Sequence, residues 1–201
     1  MSARPRVWPR PLVRGDLVMV VAPSGPVDPV RLQQGAAIIA SWGLTVRYGS
    51  SVLDHHDQLS YLAGDDRLRA ADFTSGWSDP ETAAVWAARG GYGAQRMVDL
   101  LDFDVPRPIR LCTAVASEKP TRCRELGQVT VHGPGVGSVD QLSDSGNVAA
   151  LRQLIMGSPA LRRSWWRAGR CSRAQPTVGS GAAISLCWPA MSASSRSRMS
   201  R

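Results

Sequence analysis

The chain has 201 residues, of which 43% are hydrophobic and 20% are charged, a composition that excludes a disordered protein. Its formal net charge is +8, and residues 161–201 supply eight arginines and no acidic residue. The first 160 residues therefore balance sixteen basic against sixteen acidic groups, which confines any nucleic-acid hypothesis to the tail.

The sequence carries no signal for a membrane or a metal. No apolar run is long enough for a transmembrane helix, and Val18–Ala22 is too short for the core of a signal peptide. The arginines and tryptophans of the tail have no amphipathic period, so we expect neither a membrane nor a nucleic-acid partner. The four cysteines lack CxxC spacing, and we expect no metal site. The expected location is the cytoplasm.

The chain begins with the pattern of a β-α-β unit. The continuous apolar run Leu17–Ala22 predicts a strand that is buried on both faces. A helix is predicted over residues 30–42, with Asp28 as its N-cap and Gly43 ending it. A second strand is predicted over residues 44–48.

The same alternation continues to residue 101. A helix is predicted over 65–77, a strand over 83–88 and a further helix over 94–101. The first of these helices has four residues at helical spacing on one side, namely Leu68, Ala71, Asp72 and Ser75. This alternation predicts an α/β domain with a doubly wound, flavodoxin-like parallel sheet.

The pattern weakens in the second half of the chain. Order is lost over residues 105–126, where 111–116 is a strand candidate with poorly supported flanks. A strand is then predicted over 128–134 and a helix over 147–156. We place the domain at residues 12–157 and predict a disordered basic tail over 158–201.

Three sequence blocks follow one another in this domain. The first ends in Ala22-Pro23-Ser24-Gly25-Pro26 after the first strand. The second runs from Tyr61-Leu62-Ala63-Gly64 to Arg89-Gly90-Gly91-Tyr92-Gly93 and Leu100-Leu101-Asp102. The third is Val131-His132-Gly133-Pro134. In order and spacing the blocks resemble the serine LD-carboxypeptidase family, which includes muramoyl-tetrapeptide carboxypeptidases and microcin-resistance hydrolases.

The resemblance implies a hydrolase of cell-wall muropeptides. It implies cleavage of the bond between an L-residue and a terminal D-residue by a Ser-His-Glu triad, without metal or cofactor, and an association into homodimers. In the family the Glu and His come from a C-terminal catalytic domain, which we expect to be missing from this chain. Alternatives are the family's hydrolases of peptidyl-adenylate antibiotics, a non-catalytic peptide-binding fragment and a non-functional translation product.

The segment that should hold the nucleophile departs from the family. Its members place the serine in a Gly-aromatic-Ser-Asp/Glu turn, whereas residues 109–120 contain Ser117-Glu118 without a preceding Gly-aromatic pair. Ser117 is the candidate catalytic residue, with an ordinary loop serine as the alternative. The loss of the pattern here and again after residue 158 indicates reading-frame changes, which sequencing of the coding DNA tests. We therefore predict little or no activity.

Candidate binding residues cluster after two of the predicted strands. Glycines allow backbone N–H groups to approach a ligand, so the resemblance implies an oxyanion or carboxylate contact from Gly90, Gly91 and Tyr92. Arg89 is suited to pairing with a substrate carboxylate, and Ser24 lies after the first strand, at the edge where such sheets bind ligands. The alternatives are a tight turn with a structural ion pair and, for Ser24, a simple turn residue.

Overall fold

A computed structural model of the protein describes residues 9–101, 111–114, 130–158 and 185–187. In the described residues, strands alternate with helices from β1 to β4, and two consecutive helices follow β5. In chain order the elements are β1 (Leu17–Val21), α1 (Pro29–Ser41), β2 (Thr45–Tyr48), α2 (Asp66–Ser78), β3 (Thr82–Ala87), α3 (Ala94–Val98), β4 (Leu111–Ala114), β5 (Thr130–His132), α4 (Val139–Ser143), α5 (Ser145–Met156) and β6 (Ser185–Cys187).

The strands form one sheet in the order β2-β1-β3-β4-β5-β6. The pairs β1–β2, β1–β3, β3–β4 and β4–β5 are all parallel, and only the outer pair β5–β6 is antiparallel. The order 2-1-3-4-5 is the flavodoxin-like form of the doubly wound sheet. The fold class predicted from the sequence is confirmed.

Strand β1 is apolar throughout because helices cover both faces of the sheet. Val18 and Val20 belong to the large core formed with α1, α4 and α5. Met19 and Val21 point the other way and pack with Trp77 of α2. Successive side chains of a strand face opposite sides, so a central strand needs apolar residues at every position.

Of the four residues of helix α2 that were noted at helical spacing, only Asp72 is buried. Leu68 is 50% exposed, and Ala71 and Ser75 are exposed too. The buried residues are Arg69, Ala70, Asp72, Gly76 and Trp77. Trp77 supplies the large apolar side chain of this buried face, and Arg69 and Asp72 have polar partners inside the fold.

Local chemistry fixes where the helices begin. The side chains of Asp28, Asp65 and Asp144 each accept a hydrogen bond from a backbone N–H in the first turn of α1, α2 and α5. Asp28 was predicted to do so. Helix α3 ends at Val98, earlier than predicted, and the five-residue helix α4 was not predicted because one turn has too few residues to show a period.

Two uncertain parts of the sequence contribute strands. The strand candidate at 111–116 is confirmed at Leu111–Ala114, between β3 and β5. Residues 185–187 of the basic tail pair with β5, so the prediction of disorder is wrong for these three residues. The cause is the edge of β5, whose free backbone groups accept a partner strand. Apart from Ser158, the remainder of the tail lies outside the described residues. Within the described ranges, no helix is long and apolar enough to cross a membrane.

Candidate functional site

The candidate site lies where the chain leaves β1 and β3. These strands are neighbours in the sheet, and the helices that follow them pack on opposite faces: α1 belongs to the large core, whereas Met97 of α3 packs with Ala70 of α2. Such a divergence opens a crevice at the carboxyl ends of the strands, which is the usual ligand site of this fold. We call residues 22–28 the serine turn and residues 88–93 the glycine loop.

Ser24 joins the serine turn to the glycine loop. It is 1% exposed, and its hydroxyl donates a hydrogen bond to the carbonyl oxygen of Arg89 at 2.9 Å. Its own carbonyl accepts from the backbone N–H of Ala63 at 2.9 Å. The Ser24 hydroxyl therefore donates its proton to a hydrogen bond within the protein. Through its two hydrogen bonds, Ser24 connects three segments at the base of the crevice.

The glycine loop needs glycine at two positions for different reasons. Gly91 has φ +131° and open space where a Cβ would lie, so its requirement is conformational. Gly93 has φ +113°, and a Cβ there would come within 2.3 Å of the Leu62 side chain. The loop is therefore held tightly at Gly93, while its Gly91 end faces open space.

Tyr92 forms an exposed aromatic pair with Tyr61. The two ring centroids are 5.5 Å apart, with the planes tilted by 55°. Tyr92 is 59% exposed and Tyr61 is 43% exposed, so both rings offer a free surface at the rim of the loop. Tyr61 was not predicted as a site residue, because the two tyrosines are 31 positions apart in the sequence and only the fold brings them together.

Arg89 is exposed, and it lines a polar cleft of about 380 Å³. Its Nη1 donates to the carbonyl oxygen of Pro26 at 3.1 Å, which holds the guanidinium over the serine turn. The opposite wall of the cleft comes from the segment between β5 and α4 and from the start of α1. The lining residues are Pro26, Val27, Asp28, Arg31, Arg89, Gly137, Ser138, Asp140 and Gln141.

A second guanidinium of the cleft is already paired. Arg31 donates to the carbonyl of Gly137 at 3.1 Å and to the carboxylate of Asp140 at 2.6 Å. The hydrogen bond from Arg31 lowers the pKa of Asp140 below its ordinary value. Asp140 therefore competes with any anionic ligand for Arg31, whereas Arg89 has no acidic partner among the described residues.

A buried arginine of α2 lies beneath both loops. The Arg69 side chain is fully buried, and its Nη1 donates to the carbonyl oxygens of Pro23 and, at 3.2 Å, of Gly93. Its Nη2 pairs with Asp66, which is also bound by Arg96. The hydrogen bond from Arg96, with the nearby charge of Arg69, lowers the pKa of Asp66. Arg69 was not predicted as a site residue, although the i,i+3 spacing of Asp66 and Arg69 was a signal for an ion pair.

The structure brings five of the predicted site residues together. Ser24, Arg89, Gly90, Gly91 and Tyr92 all lie on the two joined loops. The sixth, Ser117, lies outside the described residues. Strand β4, which precedes it, is parallel to β3 with Thr113 beside Trp86, so the chain leaves β4 at the same edge of the sheet. In the described part of the chain, no group of three or more His, Cys, Asp or Glu residues is placed to hold a metal ion.

Comparisons with known proteins give consistent matches. Residues 18–112 match the family described as the LD-carboxypeptidase N-terminal domain. A protein named as a carboxypeptidase in Streptomyces coelicolor is 41% identical over 164 residues, which are 79% of this chain and 53% of that protein. One named as a murein peptide carboxypeptidase in Bacillus subtilis is 33% identical over 130 residues, covering 63% of this chain and 40% of that protein.

Solved structures share the fold. An MccF-like protein from Bacillus anthracis superposes with a TM-score of 0.65 at 19% sequence identity, and the match covers 75% of this chain and 47% of that chain. At this identity the similarity concerns the fold alone. In both comparisons the chain spans about half the length of the proteins that it matches.

Proposed function

Because residues 18–112 belong to the LD-carboxypeptidase N-terminal domain family, we propose that this chain carries the substrate-binding loops of a serine-type carboxypeptidase acting on muropeptides. The reaction adds water across the amide bond between an L-residue and a terminal D-residue, and it releases a shortened peptide and a free D-amino acid. The observation that carries the proposal is the family match over a region that contains both the serine turn and the glycine loop. The similarity to the murein peptide carboxypeptidase favours muropeptides as the substrate class.

Each loop has a role in this proposal. Arg89 pairs with the terminal carboxylate of the D-residue, since it is exposed and has no carboxylate partner among the described residues. Backbone N–H groups of Gly90, Gly91 and Tyr92 hydrogen-bond the peptide carbonyl, because the glycines leave the backbone open to approach. Ser24 keeps the two loops at a fixed separation.

Turnover by this chain is proposed to be low or absent. A serine becomes a useful nucleophile only when its turn exposes the oxygen to a neighbouring base. Residues 109–120 have no Gly-aromatic pair before Ser117, so the tight turn that exposes the family's nucleophile is not encoded there. We therefore expect binding of a D-Ala-terminated peptide without appreciable hydrolysis.

The test is a pair of measurements on the full chain. Calorimetric titration compares an L-Lys-D-Ala-terminated peptide with its L-Ala diastereomer, and we expect binding of the first to be the tighter. Chromatographic detection of released D-Ala measures turnover, in the wild type and in S117A. No binding of either peptide contradicts the proposed function. Normal turnover that S117A abolishes would make Ser117 the nucleophile and refute the proposed inactivity.

The family's other activity is separated by the same titration. An aminoacyl sulfamoyl adenosine serves as a stable probe for a hydrolase of adenylate antibiotics. If this probe binds and the D-Ala peptide does not, the antibiotic branch replaces the muropeptide branch as the proposal.

A further inference from the structure

We propose that Arg69 is a positioning residue of the candidate site: its guanidinium sets the glycine loop and the serine turn at the separation that peptide binding requires. The inference deepens the proposed function, because the expected effect of Arg69 on peptide binding rests on that function. The expected effect of Arg69 on the conformation of the two loops does not depend on it. Arg69 touches neither the crevice nor a ligand, and it acts through the backbone of the two loops.

The contacts of Arg69 connect segments that are far apart in the sequence. Its Nη1 reaches the carbonyl of Pro23, 46 residues away, and the carbonyl of Gly93, 24 residues away. One nitrogen thus joins the end of the serine turn nearest β1 to the last residue of the glycine loop. The hydroxyl of Ser24 ties the loops at a second point, through the carbonyl of Arg89. Two ties at separate points fix an orientation as well as a distance.

Fixing these carbonyls fixes the neighbouring N–H groups. A peptide unit is planar, so the carbonyl of Pro23 and the N–H of Ser24 turn together. Gly93 is in the left-handed region at φ +113°, where a glycine without a contact would explore many conformations. The hydrogen bond from Arg69 restricts the conformation of Gly93 at one end of the glycine loop. Gly91, in the same loop, faces open space.

The burial of this charge is costly, which indicates that its contacts have a role. The Arg69 side chain is fully buried, and its Nε has no hydrogen-bond partner in the described part of the chain. A buried ion pair gives little net stability compared with apolar residues of similar size. An apolar side chain would fill the space below the loops, but it would donate to neither carbonyl.

The test compares R69M with R67M in the full chain. Methionine keeps the unbranched shape of the arginine stem and removes the donors. Asp66 keeps Arg96 as its partner in R69M, so the substitution strands no carboxylate. Arg67 is exposed on the same helix, and R67M therefore changes the same charge and the same side-chain type without touching the loops.

Hydrogen exchange measured by mass spectrometry gives the readout that does not depend on a ligand. In R69M we expect peptides covering 22–28 and 88–93 to exchange about tenfold faster, since charge-assisted hydrogen bonds of this kind contribute about that factor or more. Peptides from β1 and β3 should exchange as in the wild type. Unchanged loops, or faster exchange spread evenly over the sheet, would overturn the inference in favour of a purely structural role.

Peptide titration and a conservative variant complete the test. We expect the D-Ala-terminated peptide to bind R69M about tenfold more weakly than R67M. R69K should fall between them, because an ammonium group keeps donors for the carbonyls without the planar fork of arginine. If R69M does not fold, hydrogen exchange is compared between R69K and R67K instead. Equal exchange rates of the two loops in these variants would overturn the inference. If the wild type binds no peptide, the proposed function is contradicted. In that case hydrogen exchange still tests whether Arg69 positions the two loops.

Discussion

Two polar side chains, Arg69 and Asp72, are buried on the same face of helix α2, and they hold different loops. Arg69 donates to the loops of the candidate site. Asp72, which is 5% exposed, accepts hydrogen bonds from the backbone N–H and the hydroxyl of both Ser50 and Ser51. Four donors converge on one carboxylate, so α2 holds the segment after β2 as well as the two loops of the candidate site.

The variant D72N tests this cluster. An asparagine amide replaces one acceptor oxygen by a donor, which faces donors that it cannot satisfy. We expect the free energy of unfolding to fall by about 1–3 kcal/mol, as for other buried polar groups that lose their partners. Urea denaturation measures the change, and D57N, at an exposed loop position, serves as the control with an expected change near zero.

The lowered pKa of Asp66 predicts that the stability of the protein depends on pH. The folded-state pKa of Asp66 is lowered, chiefly by the hydrogen bond from Arg96. The lowered value means that the ionised form stabilises the fold above the ordinary Asp pKa of about 4, and that this stabilisation is lost as the pH falls through the folded-state value. D66N lacks the effect at every pH.

The measurement is the urea midpoint of the wild type and D66N between pH 3 and pH 7. The wild type should be the more stable near neutrality, and the difference should shrink below about pH 4. A difference that stays constant down to pH 3 would contradict the role of the ionised carboxylate.

At the scale of elements, close backbone approaches decide where small residues are needed. Helix α1 crosses the segment between β5 and α4 at Gly35, where a Cβ would come within 1.7 Å of the carbonyl oxygen of Val136. That segment is itself tied to the end of β3, because Val136 and Gly137 donate to the carbonyls of Ala87 and Ala88. The packing of α1 therefore also sets the wall of the cleft.

G35A and G146A form a matched pair that tests this crossing. Both glycines lie in helices, and alanine alone would favour the helix by about 1 kcal/mol. At Gly146 the nearest atom to a new Cβ is the carboxylate of Asp144 at 3.4 Å, so we expect G146A to be neutral or stabilising. We expect G35A to destabilise by about 1–3 kcal/mol, as overpacked sites do. Thermal unfolding distinguishes the two, and equal midpoints would contradict the predicted clash.

The sequence predicted elements well where the signal is local and poorly where it depends on neighbours. Strand β1 and helix α1 were found from an apolar run and an N-cap, which act over a few residues. The buried face of α2 was not predicted, since Trp77 packs against Met19 and Val21 of β1, far away in the sequence. Strand β6 has no recognisable pattern of its own, because its conformation is stabilised by pairing with β5.

At the scale of the whole molecule, β6 covers an edge of the sheet. It pairs antiparallel with β5, from Thr130 beside Cys187 to His132 beside Ser185. An uncovered strand edge has free backbone donors and acceptors, which promote self-association. We therefore expect the tail segment that contains β6 to keep a second copy of the chain from pairing with β5.

Two truncations test this protection. A chain ending at residue 187 keeps β6, and we expect it to sediment as the full chain does. A chain ending at residue 184 exposes the edge of β5, and we expect concentration-dependent oligomers in sedimentation velocity. Identical sedimentation of the two truncated chains would show that the edge is harmless.

From the sequence alone one could predict the order of the elements from β1 to α3, the N-cap of α1, the glycine motif after β3 and the similarity of residues 18–112 to a known family. These follow from periodicity, capping chemistry and motifs, which all operate over short stretches of chain. Only the tertiary structure decided that Arg69 joins the two loops, that Tyr61 meets Tyr92 and that residues 185–187 complete the sheet. The reason is physical: these contacts join residues 24 to 57 positions apart, and the doubly wound sheet brings those segments together.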